Sequence, residues 1–281
     1  LQYSGAEHLR TYRNPFSQVD LFRSPAARFA PGLSLKYLDP LPEQIGLSID
    51  GSNINAVTRA EDRGSLGFLR YLPSALPYEM GIRDSVLILE PKGGMEVLAA
   101  EYYGANHIAA VESNPLIVRV IRNNLREFSR GIYDRDTWTG IGRSWLKKGD
   151  RTFDLIDIPL TGASPSGSFG ITEDYRFTVE AFKQYLSHLK DHGMLSIQTF
   201  IVPPPRTELR ILSTLVTSME EMGIKEPYKN IVSIRSWGTI TIIAKKVPFT
   251  PEEGEAVRRF SKERRFDLVY LTGMADAEAN I

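Results

Sequence analysis

Apolar and polar positions recur with two different periods along this chain, and the period changes near residue 85. Before it, "QVDLFRS", "LSLKYLD" and "IGLSIDG" are short alternating runs separated by Pro, Gly and Asp. That texture predicts small antiparallel strands. Asp50-Gly51 is a hairpin-type turn signal. "YLPSALPYEMGIRD" reads as a linker or short helix. From Val86 the pattern becomes β-α-β-α. Val86 to Leu89 is a continuous apolar run, as expected for a strand covered on both faces. A helix is predicted from Met95 to Tyr103 and a strand from Ile108 to Val111. Asn114-Pro115 is an N-cap followed by proline at the first helical position. The helix it opens runs to about Glu127, with Ile117, Val120, Ile121 and Leu125 as its buried stripe.

Further strands are predicted at Thr137 to Ile141 and Phe153 to Ile158. Thr172 reads as the cap of a helix that begins with Glu173 and Asp174 and stops at Gly193. Met194 to Thr199 follows as a strand, and Thr207 opens a helix to about Met222. "IVSIRSWGTITIIAKK" is a strand, a tight Trp237-Gly238 turn and a strand, and the last segment is a helix with a short strand after it. Alternating strands and helices imply a mostly parallel sheet with helices on both faces. The expected fold is α/β: a Rossmann-like sheet with an antiparallel last strand, preceded by a small β-rich domain. The expected divisions are residues 1–80, 81–245 and a helical extension over 246–281.

Composition narrows the function classes. The 281 residues carry 34 Lys plus Arg against 34 Asp plus Glu, so no global charge points to nucleic acid or an anionic membrane. There is no cysteine, hence no disulfide and no thiolate metal site, and the four histidines are scattered without metal spacing. No metal is expected. No apolar run approaches the roughly 18 residues of a membrane span. A cytoplasmic, soluble domain is the expectation. The chain starts at Leu1 rather than Met, which leaves room for a longer, membrane-anchored protein.

In such sheets ligands sit beyond the carboxyl ends of the strands, which directs attention to a few residues. Glu112 ends the second strand, 18 residues after Gly94. An acid there can accept from both hydroxyls of a ribose; it can equally be a solvated acid beside a helix start. Ser113 follows it. The dinucleotide fingerprint G-x-G-x-x-G is absent, which weakens a nicotinamide or flavin reading. Gly93-Gly94 still allows a tight turn and close backbone approach. Lys92 stands where the carboxylate of a nucleoside-sulfonium ligand lies, and Glu96 falls in the next helix's first turn; the alternative is a surface pair four residues apart. Asp157 is a carboxylate inside the apolar run "FDLIDIPL". It is a ligand contact or general base, or it bonds the backbone of the following loop. That loop, "TGASPSGSFGITEDY", is built of small residues that can cover a substrate. Tyr175 at its end also suits a core position.

"APGLSLKYL", "AVESNP", "GRSWL", "FDLI", "GITEDYRFTVEAFKQYLSHLKDHGMLSIQTF" and "WGTITII" together resemble the spermidine/spermine synthase superfamily. The likeness is greatest to a bacterial branch whose synthase-like domain often follows membrane helices. The resemblance implies a fold shared with class I methyltransferases and a small-molecule nucleoside ligand: S-adenosylmethionine, its decarboxylated form or methylthioadenosine. It implies that Glu112 holds the ribose, that Gly93-Gly94 end the glycine loop, and that Gly142-Arg143-Ser144 line the adenine. It also implies that the loop from Gly162 through Ser168 to Gly170 closes over a polyamine, and that the protein forms a homodimer. The departures matter as much. "GGGDGG" becomes "EPKGGM", the catalytic Asp position holds Pro159, the early "YQ" becomes Phe16-Ser17, and "YHE" becomes Phe68-Leu69-Arg70. A protonated amine needs a carboxylate to orient it and take its proton, and proline does neither. Two functions follow: a transferase of methyl or aminopropyl groups without ordinary spermidine synthase activity, or a domain that kept the fold and lost the chemistry.

Overall fold

The computed structural model describes residues 5–26, 28–51, 53–61, 64–81, 84–161 and 175–279. The N-terminal part forms a four-stranded antiparallel sheet, in chain order, from β1 (Glu7–Asn14), β2 (Ser17–Arg23), β3 (Gln44–Ile49) and β4 (Asn53–Thr58). Asp50 and Gly51, both at positive φ, turn β3 into β4, as the Asp-Gly signal predicts. "LSLKYLD" is not a strand: residues 33–39 are irregular, with a turn at 35–36. Its alternation matches a strand, yet Leu35 and Leu38 point into solvent and the segment pairs with no neighbour in either sheet. The strand β1 carries no clear alternation and leaves no strand signal in the sequence.

A short helix α1 (Leu76–Glu79) leads into the main sheet. There the chain alternates β5 (Ser85–Leu89), α2 (Met95–Tyr102), β6 (His107–Glu112), α3 (Pro115–Asn124), β7 (Asp136–Thr139), α4 (Gly142–Leu146) and β8 (Phe153–Thr161). It continues with α5 (Val179–Ser187), β9 (Leu189–Phe200), α6 (Thr207–Glu221), β10 (Ile231–Arg235), β11 (Thr239–Lys245), α7 (Pro251–Arg264) and β12 (Asp267–Tyr270). Eight strands pair in the order β12-β10-β11-β9-β8-β5-β6-β7. The five from β9 to β7 are parallel, and β11, β10 and β12 add antiparallel. The Rossmann-like sheet and its separate N-terminal β-sheet are therefore as the sequence predicts. The last short strand, β12, pairs with β10 at the edge of the same sheet.

Asn114 caps α3 by accepting from the Leu116 N–H, with Pro115 next. The helix ends at Asn124, a turn earlier than the pattern predicts. The helix expected from Thr172 to Gly193 is corrected. Thr172, Glu173 and Asp174 lie outside the described residues. The helix begins at Val179, capped by the Thr178 hydroxyl, and ends at Ser187. Gly193 is no helix stop; it lies within β9, where an added Cβ would stand 2.7 Å from the Phe153 carbonyl of the neighbouring β8.

Two apolar layers hold the sheet. Val86, Ile88, Ala110 and Leu155 pack on one side with residues of α1, α2, α3 and α7 and with Val19, Leu21, Leu47 and Val57 of the small sheet. Leu87, Leu89, Ile156 and Ile158 pack on the other with α4, α5 and α6. The small sheet is thus part of the core, and β4 reaches the carboxyl end of β5. Among the described residues, no helix is long and apolar enough to cross a membrane.

Candidate functional site

The chain enters the large sheet at β5, runs out through β6 and β7, and returns to β8 on the other side of β5. The carboxyl ends of β5 and β8 therefore form the switch point, where open α/β sheets place ligands. Phe29, Pro31, Asn55, Glu90, Lys92, Glu96 and Pro159 line a cavity there of about 10 Å³, room for about one water.

The turn after β5 is tightly held. Glu90 has φ +61°, Lys92 +50° and Gly94 +82°; a non-glycine residue in this left-handed region costs roughly 1–3 kcal/mol and persists only where its surroundings impose it. Here they do. The Glu90 N–H donates to Val111 O at 2.8 Å, and the Lys92 N–H donates to Glu112 Oε2 at 3.0 Å. The Tyr133 hydroxyl donates to Lys92 O at 2.6 Å, and the Gly93 N–H donates to Asn55 Oδ1 at 3.0 Å. A Cβ on Gly93 would stand 2.0 Å from Ala56 O, and one on Gly94 2.3 Å from Ile132 Cδ1. Each glycine lets a protein neighbour approach.

Glu112 ends β6 and is only 1% exposed. It is not the solvated acid of the plainer reading. Besides Lys92, it accepts from the Asn114 N–H, through Oε1 at 2.9 Å. Burial and then the neighbouring Glu90 charge push its carboxyl up to about 8, against the pull of those two amides. Ser113 is engaged as well: its N–H and hydroxyl donate to Glu90 Oε2 at 3.2 and 2.7 Å. The sequence directs attention to the stretch Glu90 to Glu96 but assigns Glu90 no role, although an acid directly after the apolar run of β5 is a legible signal.

Asp157 lies in β8, 2% exposed. Strand alternation puts it on the face of Leu155, toward α1 and α2. Burial raises its carboxyl to about 7, and Ser196, opposite it in the β8–β9 register, works the other way. Among the described residues the Ser196 hydroxyl makes no hydrogen bond of normal geometry. Glu96, buried in the first turn of α2, is pushed up to about 8 by burial and then by Asp157. The buried Tyr78 hydroxyl has no hydrogen-bond partner among the described residues. Burial and then the charges of Asp157 and Glu96 hold its pKa well above the ordinary tyrosine value. The β8–β9 register shifts between Ile158 and Thr161, the step that contains Pro159. A proline, lacking an N–H, suits that irregularity.

Lys92 is half-buried as a residue, with its ammonium end deep among protein groups. Nζ donates to the Leu160 carbonyl at 3.3 Å and does not lie in solvent beside Glu96. Burial and then Arg176 lower its pKa, while Glu112, Glu90 and Glu96 oppose them. Gly142 is buried at the start of α4, where an added Cβ would stand 2.8 Å from Leu89 Cδ2. Arg143 is half-buried, with an Nε that has no hydrogen-bond partner among the described residues, and Ser144 is exposed. Tyr175 is 45% exposed and so no core residue. Gly162, Ser168 and Gly170 lie outside the described residues. Of the residues expected from the sequence, Lys92 and Glu96 line the cavity; Gly93, Gly94, Glu112 and Ser113 belong to the turn and strand end that hold it, and Asp157 is buried beside Glu96. Asn55, Tyr78 and Tyr133 join them without any signal in the sequence.

No family model matches the chain, and no curated protein matches it in sequence. Solved structures do. Spermidine synthase from Thermotoga maritima superposes with a TM-score of 0.55 at 16% identity, covering 92% of this chain and 79% of that one. A spermidine synthase in complex with the transition-state analogue AdoDATO gives 0.54 at 16% identity, with the same coverage. A probable spermidine synthase from Corynebacterium glutamicum ATCC 13032 gives 0.57 at 14% identity, covering 90% of this chain and 86% of that one. The chain has the fold of the spermidine synthase superfamily, a methyltransferase-like sheet behind a small antiparallel one.

Proposed function

We propose that the protein is a transferase that takes S-adenosylmethionine or a close adenosyl relative and moves a methyl or aminopropyl group to an amine acceptor. The observation that carries this reading is Asp157. Its buried carboxyl, raised to about 7, has the proton affinity that general-base work at neutral pH requires. Glu90, Glu96, Glu112 and Asp157 outnumber Lys92 and the nearby Arg176 around this turn, and a sulfonium or ammonium cation is favoured there as it draws the raised carboxyls into their charged form. Glu112 accepts from the ribose diol. Asp157 takes the acceptor's proton as the new carbon–nitrogen bond forms and the carbon–sulfur bond breaks, its electron pair passing to sulfur. A second reading, a domain that binds such ligands without chemistry, is favoured by the burial of Glu112 beneath backbone amides.

Thermal shift and isothermal titration with S-adenosylmethionine, its decarboxylated form, methylthioadenosine, NAD and polyamines test the binding. Adenosyl ligands are expected to bind. Glu112→Gln is expected to weaken them, because the ribose donors draw the raised carboxyl into a charged form that glutamine lacks; the loss is about 1.5–3 kcal/mol, the range for hydrogen bonds to a charged group, at pH 9, where Glu112 is ionised without ligand, and smaller at pH 7. Equal affinity in both proteins would remove Glu112 from the site. Asp157→Asn is expected to bind and not turn over; a wild type that binds with no turnover on any amine supports the second reading. Putrescine with decarboxylated S-adenosylmethionine is expected to give little spermidine, because Pro159 replaces the usual base. Robust conversion would overturn that expectation.

A further inference from the structure

We propose that Asn55 and Tyr133 latch the turn after β5 onto Glu112, holding the nucleoside seat shut until the turn opens. The inference rests on the adenosyl reading above for the identity of the ligand. A ribose diol needs access to the Glu112 carboxylate, yet Glu112 is 1% exposed. Oε1 is held by the Asn114 N–H at the start of α3, and Oε2 is covered by the backbone of Lys92, whose N–H donates to it at 3.0 Å, so Oε2 is the oxygen that opening the turn would free.

The backbone alone does not favour that position. Glu90 and Lys92 both sit at positive φ without being glycine, a conformation that persists only where surrounding groups impose it. Two side chains from different parts of the chain do so. Tyr133, buried after α3, donates its hydroxyl to Lys92 O at 2.6 Å. Asn55, on β4, accepts the Gly93 N–H at 3.0 Å, and the same Oδ1 accepts the Ala56 N–H at 3.0 Å, so it is fixed to its own strand. Gly93 is pressed against β4 so closely that an added Cβ would meet Ala56 O at 2.0 Å. The amide that a glycine turn offers to a ligand is thus turned instead to the small sheet. Through the latch, the position of that sheet decides whether the turn is strained and closed or relaxed and open. Binding requires breaking the Lys92–Glu112 contact, so the measured affinity is lowered by the fraction of time the turn spends closed.

The test compares wild type with Tyr133→Phe, which removes one hydroxyl from a buried ring, and with Asn55→Ala. Amide hydrogen exchange read residue by residue by NMR comes first, on the free proteins. The Lys92 and Gly93 amides are expected to be protected in wild type and to exchange roughly five- to tenfold faster in each variant, the effect of losing one ordinary hydrogen bond. Titration with S-adenosylmethionine and methylthioadenosine comes second, and each variant is expected to bind about three- to tenfold more tightly. Wild-type amides that exchange as fast as an open loop overturn the latch. So do variants whose turn is freed but whose affinity is unchanged or lower, since Asn55 and Tyr133 would then shape the seat and not close it. If the amides respond as expected and no adenosyl compound binds to any of the three proteins, the latch stands and the adenosyl reading falls. If Asn55→Ala does not fold, Tyr133→Phe decides alone.

Discussion

Asp157→Asn is expected to stabilise the protein by about 2–3 kcal/mol at pH 8 and by almost nothing at pH 4. The cause is the burial of a carboxyl whose pKa rises from 3.8 to about 7 on folding. The sign follows from proton binding: between about pH 4 and pH 7 the folded protein keeps a proton that the unfolded chain has released, so stability falls as pH rises through that window. Three pK units correspond to about 4 kcal/mol. Glu96, itself raised to about 8 by burial and by Asp157, shares the penalty, which reduces the part that one substitution recovers. An asparagine there can bond the Ser196 hydroxyl, which faces Asp157, and the Tyr78 hydroxyl, which has no partner among the described residues. Urea denaturation of both proteins at pH 4, 6 and 8 measures the effect. Wild type should lose stability toward pH 8, with Glu96 and Glu112 adding to the slope, and the variant's decline should be shallower. Parallel curves, or a variant less stable than wild type at pH 8, would show that Asp157 is ionised at little cost. It would then be unsuited to accept a proton at neutral pH. The same substitution is expected to abolish turnover, so stability and chemistry oppose each other at this residue.

How far the site is legible in the sequence depends on what each residue's neighbours are. The β-α-β rhythm, the Asn114 cap and the strand-ending Glu112 are local signals, and each lies where the pattern puts it. Asp157 was legible because a carboxylate in a continuous apolar run violates the pattern around it. Tyr78, Tyr133 and Asn55 were not, because their roles lie in long-range geometry. Asn55 meets Gly93 across 38 positions, and Tyr133 meets Lys92 across 41. Nothing in a buried tyrosine's sequence context says where its hydroxyl ends. The helix expected from Thr172 failed for a related reason: Thr172 and Thr178 are both sound caps, and local chemistry does not choose between them. Gly193 misled similarly, since a glycine that ends a helix and one that admits a neighbouring strand look alike until that strand is in place.

Gly93 poses that ambiguity at the site itself, and Gly93→Ala resolves it. Its φ is not in the left-handed region, so the added methyl brings no backbone strain of that kind, and the effect is one of space. The new Cβ would lie 2.0 Å from Ala56 O, 2.4 Å from Asn55 Oδ1 and 2.6 Å from Ala56 C. Two of these atoms are backbone of β4, a strand hydrogen-bonded along β3, so no side-chain rotation relieves the contact. Either β4 draws away from the turn and the Gly93–Asn55 bond breaks, or the turn shifts and the Lys92–Glu112 bond goes with it. Overpacking costs about 1–3 kcal/mol, and a lost buried hydrogen bond adds roughly 1 kcal/mol, so the expected destabilisation is about 2–4 kcal/mol without any ligand. Gly149→Ala is the control, since its Cβ would meet nothing within 4 Å; its stability should stay within about 0.5 kcal/mol of wild type, as surface substitutions do. Denaturant melts of the free proteins give both values. If Gly93→Ala is as stable as Gly149→Ala, β4 does not press on the turn, and the glycine is kept for a ligand. A loss of the expected size makes the small sheet the neighbour for which Gly93 is needed.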